Sequence, residues 1–189
     1  MNKFEVVSKY IKEDGTTDIN LPIRATAHSA GYDFAASHTV VIPAYKNIME
    51  ELCDYTATKI PYPMKELKRI TKATKLQPTL VPTGIKCQLN EGYYLEISVR
   101  SSTPLNNWIV LANGVGIIDG DYYNNPDNEG EIFFQVINLS PVDIIIEAGD
   151  KIGQGIIKKY EKTVDDEASG ERTGGFGSTG GGGHGNFSK

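Results

Sequence analysis

The sequence from residue 112 to residue 122 is Ala112-Asn113-Gly114-Val115-Gly116-Ile117-Ile118-Asp119-Gly120-Asp121-Tyr122. The turn dipeptides Asn113-Gly114 and Asp119-Gly120 bracket a short apolar run. Because Asn, Asp and Gly tolerate positive φ, such steps between apolar segments indicate a β-hairpin. The stretch therefore predicts a hairpin that presents an amide, a carboxylate and a phenol near its tip. These groups are able to bind a base, activate a water and cover a sugar, but the same residue types also serve simply as turn formers.

The composition indicates a globular protein of one domain. The chain has 189 residues, of which 39% are hydrophobic and 23% charged, enough for a buried core. A formal net charge of -5 argues against nucleic-acid coating and membrane-surface binding. Cys53 and Cys87 follow no C-x-x-C pattern, as expected for reduced thiols. No stretch is apolar enough to cross a bilayer, so we expect a cytoplasmic protein that binds neither nucleic acid nor membrane.

Around the opening stretch, the chain consists mostly of short apolar runs separated by turn residues. The runs lie at residues 27–36, 39–43, 79–84, 85–89, 93–99, 131–139, 142–146 and 151–159. Many short strands punctuated by turns are typical of an all-β sandwich or barrel. We therefore expect residues 1–169 to form a single β domain.

Two segments differ from this β pattern. Residues 44–77 carry apolar side chains at helical spacing and are expected to form a small helical insertion. The spaced residues are Ile48, Leu52 and Tyr55, then Met64, Leu67 and Ile70, and Pro61 and Pro63 separate the two sets. Residues 170–189 are rich in glycine and nearly devoid of core residues, which predicts a flexible C-terminal arm.

Polar groups able to bind an anion occur in two other places. Arg100-Ser101-Ser102 follows a predicted strand and offers a guanidinium and two hydroxyls, although an exposed strand end has the same composition. Gly174-Gly175-Phe176-Gly177-Ser178-Thr179-Gly180 offers backbone N–H groups for a phosphate and a ring for stacking. It is not a Walker A loop, because no Lys-Ser/Thr pair follows the glycines, and a flexible linker is the alternative.

Together these pieces resemble one family, the homotrimeric deoxyuridine triphosphatases (dUTPases). Five segments match the family's five motifs in order, and the resemblance covers nearly the whole chain outside the insertion. They are Ala30-Gly31-Tyr32-Asp33, Arg100-Ser101-Ser102, residues 113–122, Gly149-Asp150-Lys151-Ile152-Gly153-Gln154, and residues 172–180. The resemblance implies a β-clip or jelly-roll subunit, and a trimer whose active sites draw on all three chains. It also implies hydrolysis of dUTP to dUMP and pyrophosphate with Mg²⁺.

The resemblance also implies roles for individual residues. Asp119 would be the general base, Asn113 and the backbone at Ile118 would bind uracil, and Tyr122 would pack on the deoxyribose. The phosphates would be held by Arg100, Ser101, Ser102 and Gln154. Phe176 would stack on uracil, while Arg172, Gly177 and Ser178 would grip the γ-phosphate. Asp33 would reach Mg²⁺ through water. The arm is expected to become ordered over a bound nucleotide, on a neighbouring subunit.

The chain departs from the family pattern in three places. About thirty residues are inserted from Ala44 onward, where a short turn is usual. Residues 123–128 lengthen the loop beyond Tyr122. Arg172 lies one residue closer to Phe176 than is common, and Glu171 occupies the usual arginine position.

Two alternatives remain open. A deoxycytidine triphosphate deaminase shares this fold, although the Gly-Phe-Gly arm favours a dUTPase. A role in binding an unidentified regulatory protein through the insertion, with or without catalysis, is the second.

Overall fold

The computed structural model describes residues 1–56, 64–74 and 76–175, apart from the side chains of residues 52–56 and 74. This part of the chain contains the strands β1 Lys3–Val6, β2 Ile23–Arg24, β3 Tyr32–Ala35, β4 Val40–Ile42, β5 Thr79–Pro82, β6 Ile85–Gln88, β7 Tyr93–Ser98, β8 Ile109–Leu111, β9 Gly116–Ile118, β10 Phe133–Asn138, β11 Ile144–Ile146 and β12 Lys151–Lys159. Its α-helices are α1 Tyr45–Thr56, α2 Met64–Thr74 and α3 Ser102–Asn107. The expected all-β class with a small helical insertion is thus confirmed.

The strands pair in antiparallel fashion in four sheets. The largest has the order β2-β3-β12-β7-β9, a second has the order β5-β10-β8, and β1-β6 and β11-β4 form two short pairs. Strand alternation places one face of each strand in the core; along β10, for example, Phe134, Val136 and Asn138 are buried and their neighbours are not. The core between the sheets contains Phe34, Ile42, Ile85, Leu95, Ile132 and Phe134.

Strand β12 carries two glycines because aromatic rings lie directly against its backbone. A Cβ at Gly153 would overlap the ring of Phe134, and a Cβ at Gly155 would lie 2.8 Å from Cε2 of Phe34. The two rings pack with centroids 5.8 Å apart. These glycines hold β12 close to the core, between the strands that carry the first and second motifs.

The opening stretch does not form the simple hairpin that the sequence predicts. Strand β8 pairs with β10, whereas β9 pairs with β7, so the stretch crosses from one sheet to the other. Gly114 does adopt positive φ (+74°) in the first turn. Asp119, in contrast, is extended (φ -75°, ψ 158°) and precedes a 3₁₀ turn from Gly120 to Tyr122. The prediction was wrong because turn dipeptides report local backbone freedom and not the partner of the next strand.

The helical insertion is fastened to the β fold at its start. The Asp143 carboxylate accepts hydrogen bonds from the Ala44 N–H (2.8 Å) and the Asn47 side chain (3.3 Å), in the place of an N-cap. Ala44 is fully buried and bridges Asn138 on β10. Within the described residues, no helix has both the length and the apolar character needed to cross a membrane.

Candidate active site

Asp119 lies directly after β9 and is about half exposed. Its side chain is 55% exposed, and it borders a cavity of about 660 Å³ that is also lined by Tyr94, Ile117 and Tyr160. Asn113 is exposed at the other end of the stretch, before β9. Gly116 between them is required by close packing, because a Cβ there would lie 2.5 Å from the Ile97 side chain. Asn113, the candidate for binding uracil, and Asp119, the candidate for activating water, therefore lie at opposite ends of β9.

Arg172 from the start of the arm lies across this part of the site. Its Nη2 is 2.9 Å from the Asp119 carboxylate and its Nε is 2.9 Å from the Asp121 carboxylate. The guanidinium carbon is 5.4 Å from the centre of the Tyr122 ring, within the range of a cation–π contact. The described part of the arm, residues 170–175, thus contacts its own chain, and the expected contact with a neighbouring subunit stays a prediction.

Tyr122 is buried, with 6% of its surface exposed. Its hydroxyl donates to the Glu131 carbonyl (2.9 Å) and accepts from the Asn128 side chain (2.9 Å). Burial raises the pKa of the Tyr122 phenol. The expected role of Tyr122 against the deoxyribose, whose 2′ carbon lacks a hydroxyl, uses the ring, because the phenol hydroxyl is hydrogen-bonded within the protein.

The first, second and fourth motifs meet at a different place. On β3 and β12, Asp33 pairs with Gln154, and Gln154 in turn pairs with Ser98 at the end of β7. The Asp33 carboxylate forms ion pairs with Arg100 Nε (3.2 Å) and Lys151 Nζ (2.8 Å). Convergent cations at strand ends suit a polyphosphate.

Small residues and exposed hydroxyls complete this cluster. A Cβ at Gly31 would lie 2.5 Å from Oε1 of Gln154, so the glycine of the first motif leaves space for that amide. Ser101 and Ser102 are exposed at the start of α3, and Ser101 does not use its hydroxyl to cap the helix. Both hydroxyls are therefore able to face a ligand.

The two parts of the site are separated within one chain. Ile118 pairs with Leu95, and Arg100 lies five residues farther along, which corresponds to roughly 15 Å of extended strand. The cavity beside Arg100, of about 290 Å³, shares no lining residue with the cavity beside Asp119. Phe176, Gly177 and Ser178 lie outside the described residues, so their expected positions are not tested.

Several residues of the site were missed by the sequence interpretation. Lys151, in the fourth motif, and Asp121, in the third, form ion pairs in the site, and their charges could have identified them as site residues. The roles of Asp127 and Asn128, in the lengthened loop, come from contacts that the sequence does not show, Asn128 with Tyr122 and Asp127 with the arm. Asp127 accepts from the Gly175 N–H at 2.7 Å, for example.

The described residues contain no group of three or more His, Cys, Asp or Glu side chains arranged to hold a metal. Both oxygens of Asp33 already face cations, Arg100 and Lys151. This donor set fits a Mg²⁺ that arrives with its waters on a triphosphate, since Mg²⁺ in such sites keeps several waters and few protein ligands.

Comparison with known proteins identifies the family. The dUTPase family profile matches residues 64–180. A deoxyuridine 5'-triphosphate nucleotidohydrolase of Lactococcus lactis is 40% identical over 179 residues, covering 94% of this chain and 96% of that protein. The dUTPase of Streptococcus mutans superposes with a TM-score of 0.62 at 34% identity, covering 85% of this chain and 97% of that one.

A more distant structure shares the fold alone. A dUTPase mutant from Staphylococcus aureus phage phi11, described with a structural Mg(II) ion, has a TM-score of 0.55 at 15% identity and covers 90% of this chain and 97% of that one. The family profile, the Lactococcus relative and the Streptococcus structure agree on the same family, and they agree with the five motifs and the jelly-roll-like β fold. The chain therefore belongs to the dUTPase family and is an enzyme that hydrolyses dUTP.

Proposed function

We propose that this enzyme cleaves dUTP to dUMP and pyrophosphate with Asp119 as the general base. Asp119 takes a proton from a water, whose oxygen attacks the α-phosphorus. The bond from that phosphorus to the bridging oxygen of the β-phosphate breaks, and pyrophosphate leaves with the electron pair. The observation that carries this proposal is the half-exposed Asp119 carboxylate beside a cavity of about 660 Å³.

The other residues of the site bind and orient the nucleotide in this proposal. Asn113 and the backbone at Ile118 hydrogen-bond uracil, and the Tyr122 ring packs on the deoxyribose so that a 2′-hydroxyl is excluded. The phosphates are held by Arg100, Ser101, Ser102 and Gln154, with Lys151 as an additional cation. Asp33 would hold Mg²⁺ through water, and the metal would offset the charge of the phosphates.

Arg172 changes partners in the proposed cycle. Its guanidinium covers the Tyr122 ring and pairs with Asp119 and Asp121. In this proposal the guanidinium leaves the Tyr122 ring when the sugar packs there, and it releases Asp119 from the ion pair. The triphosphate supplies the anionic partner, and Arg172 with Gly177 and Ser178 then grips its γ end while Phe176 stacks on uracil.

We also propose a homotrimer with shared active sites. Two observations support it: the separation of Asp119 from Arg100 within one chain, and large apolar side chains left on the surface. Trp108 and Ile145 are each 62% exposed and Leu139 is 46% exposed. In this proposal residues 1–169 form the catalytic domain with the insertion at 44–77, and residues 170–189 form the arm.

The test is pyrophosphate release from dUTP, dCTP, dTTP and UTP, each with and without Mg²⁺. We expect release from dUTP alone, strongly stimulated by Mg²⁺. Ammonia release from dCTP would identify a deaminase instead, and equal hydrolysis of UTP would contradict the assigned role of Tyr122.

A further inference from the structure

The loop that follows Tyr122, residues 123–130, is longer than the family pattern requires, and its own hydrogen bonds close it. The Asn124 N–H donates to the Glu129 carbonyl, and the Glu129 N–H donates to the Asn125 carbonyl, both at 3.0 Å. Asn124 and Glu129 adopt positive φ of 56° and 57°. Asn125 is only 5% exposed, and its Oδ1 accepts from the main chain at Asp127 and Asn128. The loop is therefore an ordered structure and not a loose extension.

Two asparagines of this loop hold Tyr122 in place. Asn128 Nδ2 donates to the Tyr122 hydroxyl at 2.9 Å, and Asn125 Nδ2 donates to the Tyr122 carbonyl at 2.8 Å. Asn125 also donates to Asn128 Oδ1 at 2.8 Å, and the same oxygen accepts from the Gly130 N–H at 3.0 Å. The ring is thus fixed at its hydroxyl and at its backbone by one connected network.

The same loop holds the beginning of the arm. The Asp127 carboxylate accepts from the Gly175 N–H at 2.7 Å. The preceding residue, Gly174, is buried and approaches Asp127 so closely that a Cβ would overlap its carboxylate. Arg172, two residues earlier, crosses the Tyr122 ring. Tyr122 and the arm are therefore attached to neighbouring residues of one loop.

We propose that the loop of residues 123–130 is a positioning element for the reaction, in which Asn128 fixes the Tyr122 ring and Asp127 anchors the arm at Gly175. The inference rests on the proposed function, because it assigns the sugar contact to Tyr122. It makes two separable statements. Asn128 governs discrimination against a 2′-hydroxyl, whereas Asp127 governs how well the arm is held over any nucleotide.

Asn128→Asp tests the first statement. This near-isosteric change keeps the oxygen that accepts from Asn125 and Gly130 but removes the N–H donor to Tyr122. We expect the ratio of kcat/KM for dUTP to that for UTP to fall by about threefold to tenfold, the effect of one net hydrogen bond. The fall should disappear in a Tyr122→Phe background, because the acceptor is then absent.

Asp127→Ala tests the second statement, with Asp14→Ala as the matched control. Asp14 is exposed and its carboxylate also accepts a main-chain N–H, that of Thr16. We expect kcat/KM to fall by about threefold to tenfold for both nucleotides, with their ratio unchanged. Amide hydrogen exchange at Gly175 should accelerate in Asp127→Ala and stay unchanged in Asp14→Ala, whether or not substrate is present.

The outcomes separate this inference from the proposed function. A wild-type enzyme without preference for dUTP over UTP contradicts the proposed role of Tyr122, while Gly175 exchange still decides the arm contact. A selective wild type whose ratio is unchanged in Asn128→Asp overturns the positioning role of Asn128. If Asn128→Asp still lowers the dUTP-to-UTP ratio in a Tyr122→Phe background, Asn128 does not act through the Tyr122 hydroxyl. If amide exchange at Gly175 is unchanged in Asp127→Ala, Asp127 does not anchor the arm.

Discussion

At the scale of single residues, Asp119 and Asp121 make a matched pair. Both are roughly half exposed, and each is 2.9 Å from a nitrogen of the same guanidinium, that of Arg172. Loss of Arg172 therefore removes one ion pair from each carboxylate. Only Asp119 carries the proposed proton transfer, so the two substitutions distinguish chemistry from arm contact.

We expect Asp119→Asn to lower kcat by about 10²- to 10⁴-fold, because an amide oxygen is a poor proton acceptor. Asp121→Asn should lower kcat by less than about tenfold, the effect of one exposed ion pair. Steady-state rates of pyrophosphate release measure both. A mutant Asp119→Asn that keeps more than about a tenth of wild-type kcat would exclude Asp119 as the base.

Glu129 supports the same loop from its outer side and makes stability depend on pH. Hydrogen bonds from the Ser8 hydroxyl and the Ser8 N–H, with Lys86 nearby, hold the pKa of the Glu129 carboxyl below its usual value. A depressed pKa means that the folded state binds fewer protons than the unfolded chain. The stabilisation is therefore complete above the unfolded pKa and is lost as the pH falls through the folded value.

Glu129→Gln should accordingly reduce the free energy of unfolding by about 1 kcal/mol at pH 7, the size of a solvent-screened hydrogen-bonded pair. The difference from wild type should shrink below about pH 4. Urea unfolding at several pH values measures it, with the exposed Glu13→Gln as control. A deficit that persists at acid pH would show that Glu129 acts by shape and not by charge.

At the scale of elements, the insertion is attached at one place on the β fold. Ala44 bridges Asn138, and Thr79 pairs with Val136 on the same strand. The two ends of the insertion are therefore about 7 Å apart, a distance that a short turn is able to span. Neither Asp119 nor Arg100 shares a cavity with α1 or α2.

Replacing residues 46–76 with a short glycine-containing turn, while keeping the buried Ala44, should leave kcat for dUTP within about twofold of wild type. We expect a lower Tm, because α1 residues Ile48 and Met49 line a cavity against Val136. Activity and mass measurements check the result. A chain that folds and assembles but is inactive would show that the insertion shapes the site.

At the scale of the whole molecule, the decisive feature is the separation of the two parts of the site. Asp119 follows one end of β9, whereas Arg100 with Asp33 and Gln154 forms a cluster roughly 15 Å of strand away. In the proposed homotrimer, a nucleotide contacts both parts because a second chain supplies one of them. In a cyclic trimer, each site then combines Asp119 from one chain with Arg100 from the next.

Mixed trimers of Asp119→Asn and Arg100→Ala test this arrangement. Each homotrimer lacks one required group in every site, whereas random equal mixing gives about one quarter of sites with both groups intact. We expect co-refolding to restore about that fraction of wild-type activity. If mass analysis shows mixed trimers and the activity stays at the level of the parents, Asp119 and Arg100 act within one chain.

The sequence by itself pointed to the candidate site residues and determined which segments form strands or helices. Asp119, Arg100 and Gln154 were identified from their motifs, and the strands around them from alternation, because both depend on neighbours along the chain. The helices at 45–56 and 64–74 followed from apolar spacing in the same way. Helix α3 was missed, since six residues are too few to establish a periodicity.

The tertiary structure alone decided what those residues contact. It pairs β9 with β7 and β8 with β10, in place of the predicted hairpin, and it places the site residues in two separate parts. It also brought Arg172 onto Asp119 and Gly175 onto Asp127, across 53 and 48 residues of chain. Such contacts are set by the packing of sheets and loops that are distant in sequence, and no local pattern records them.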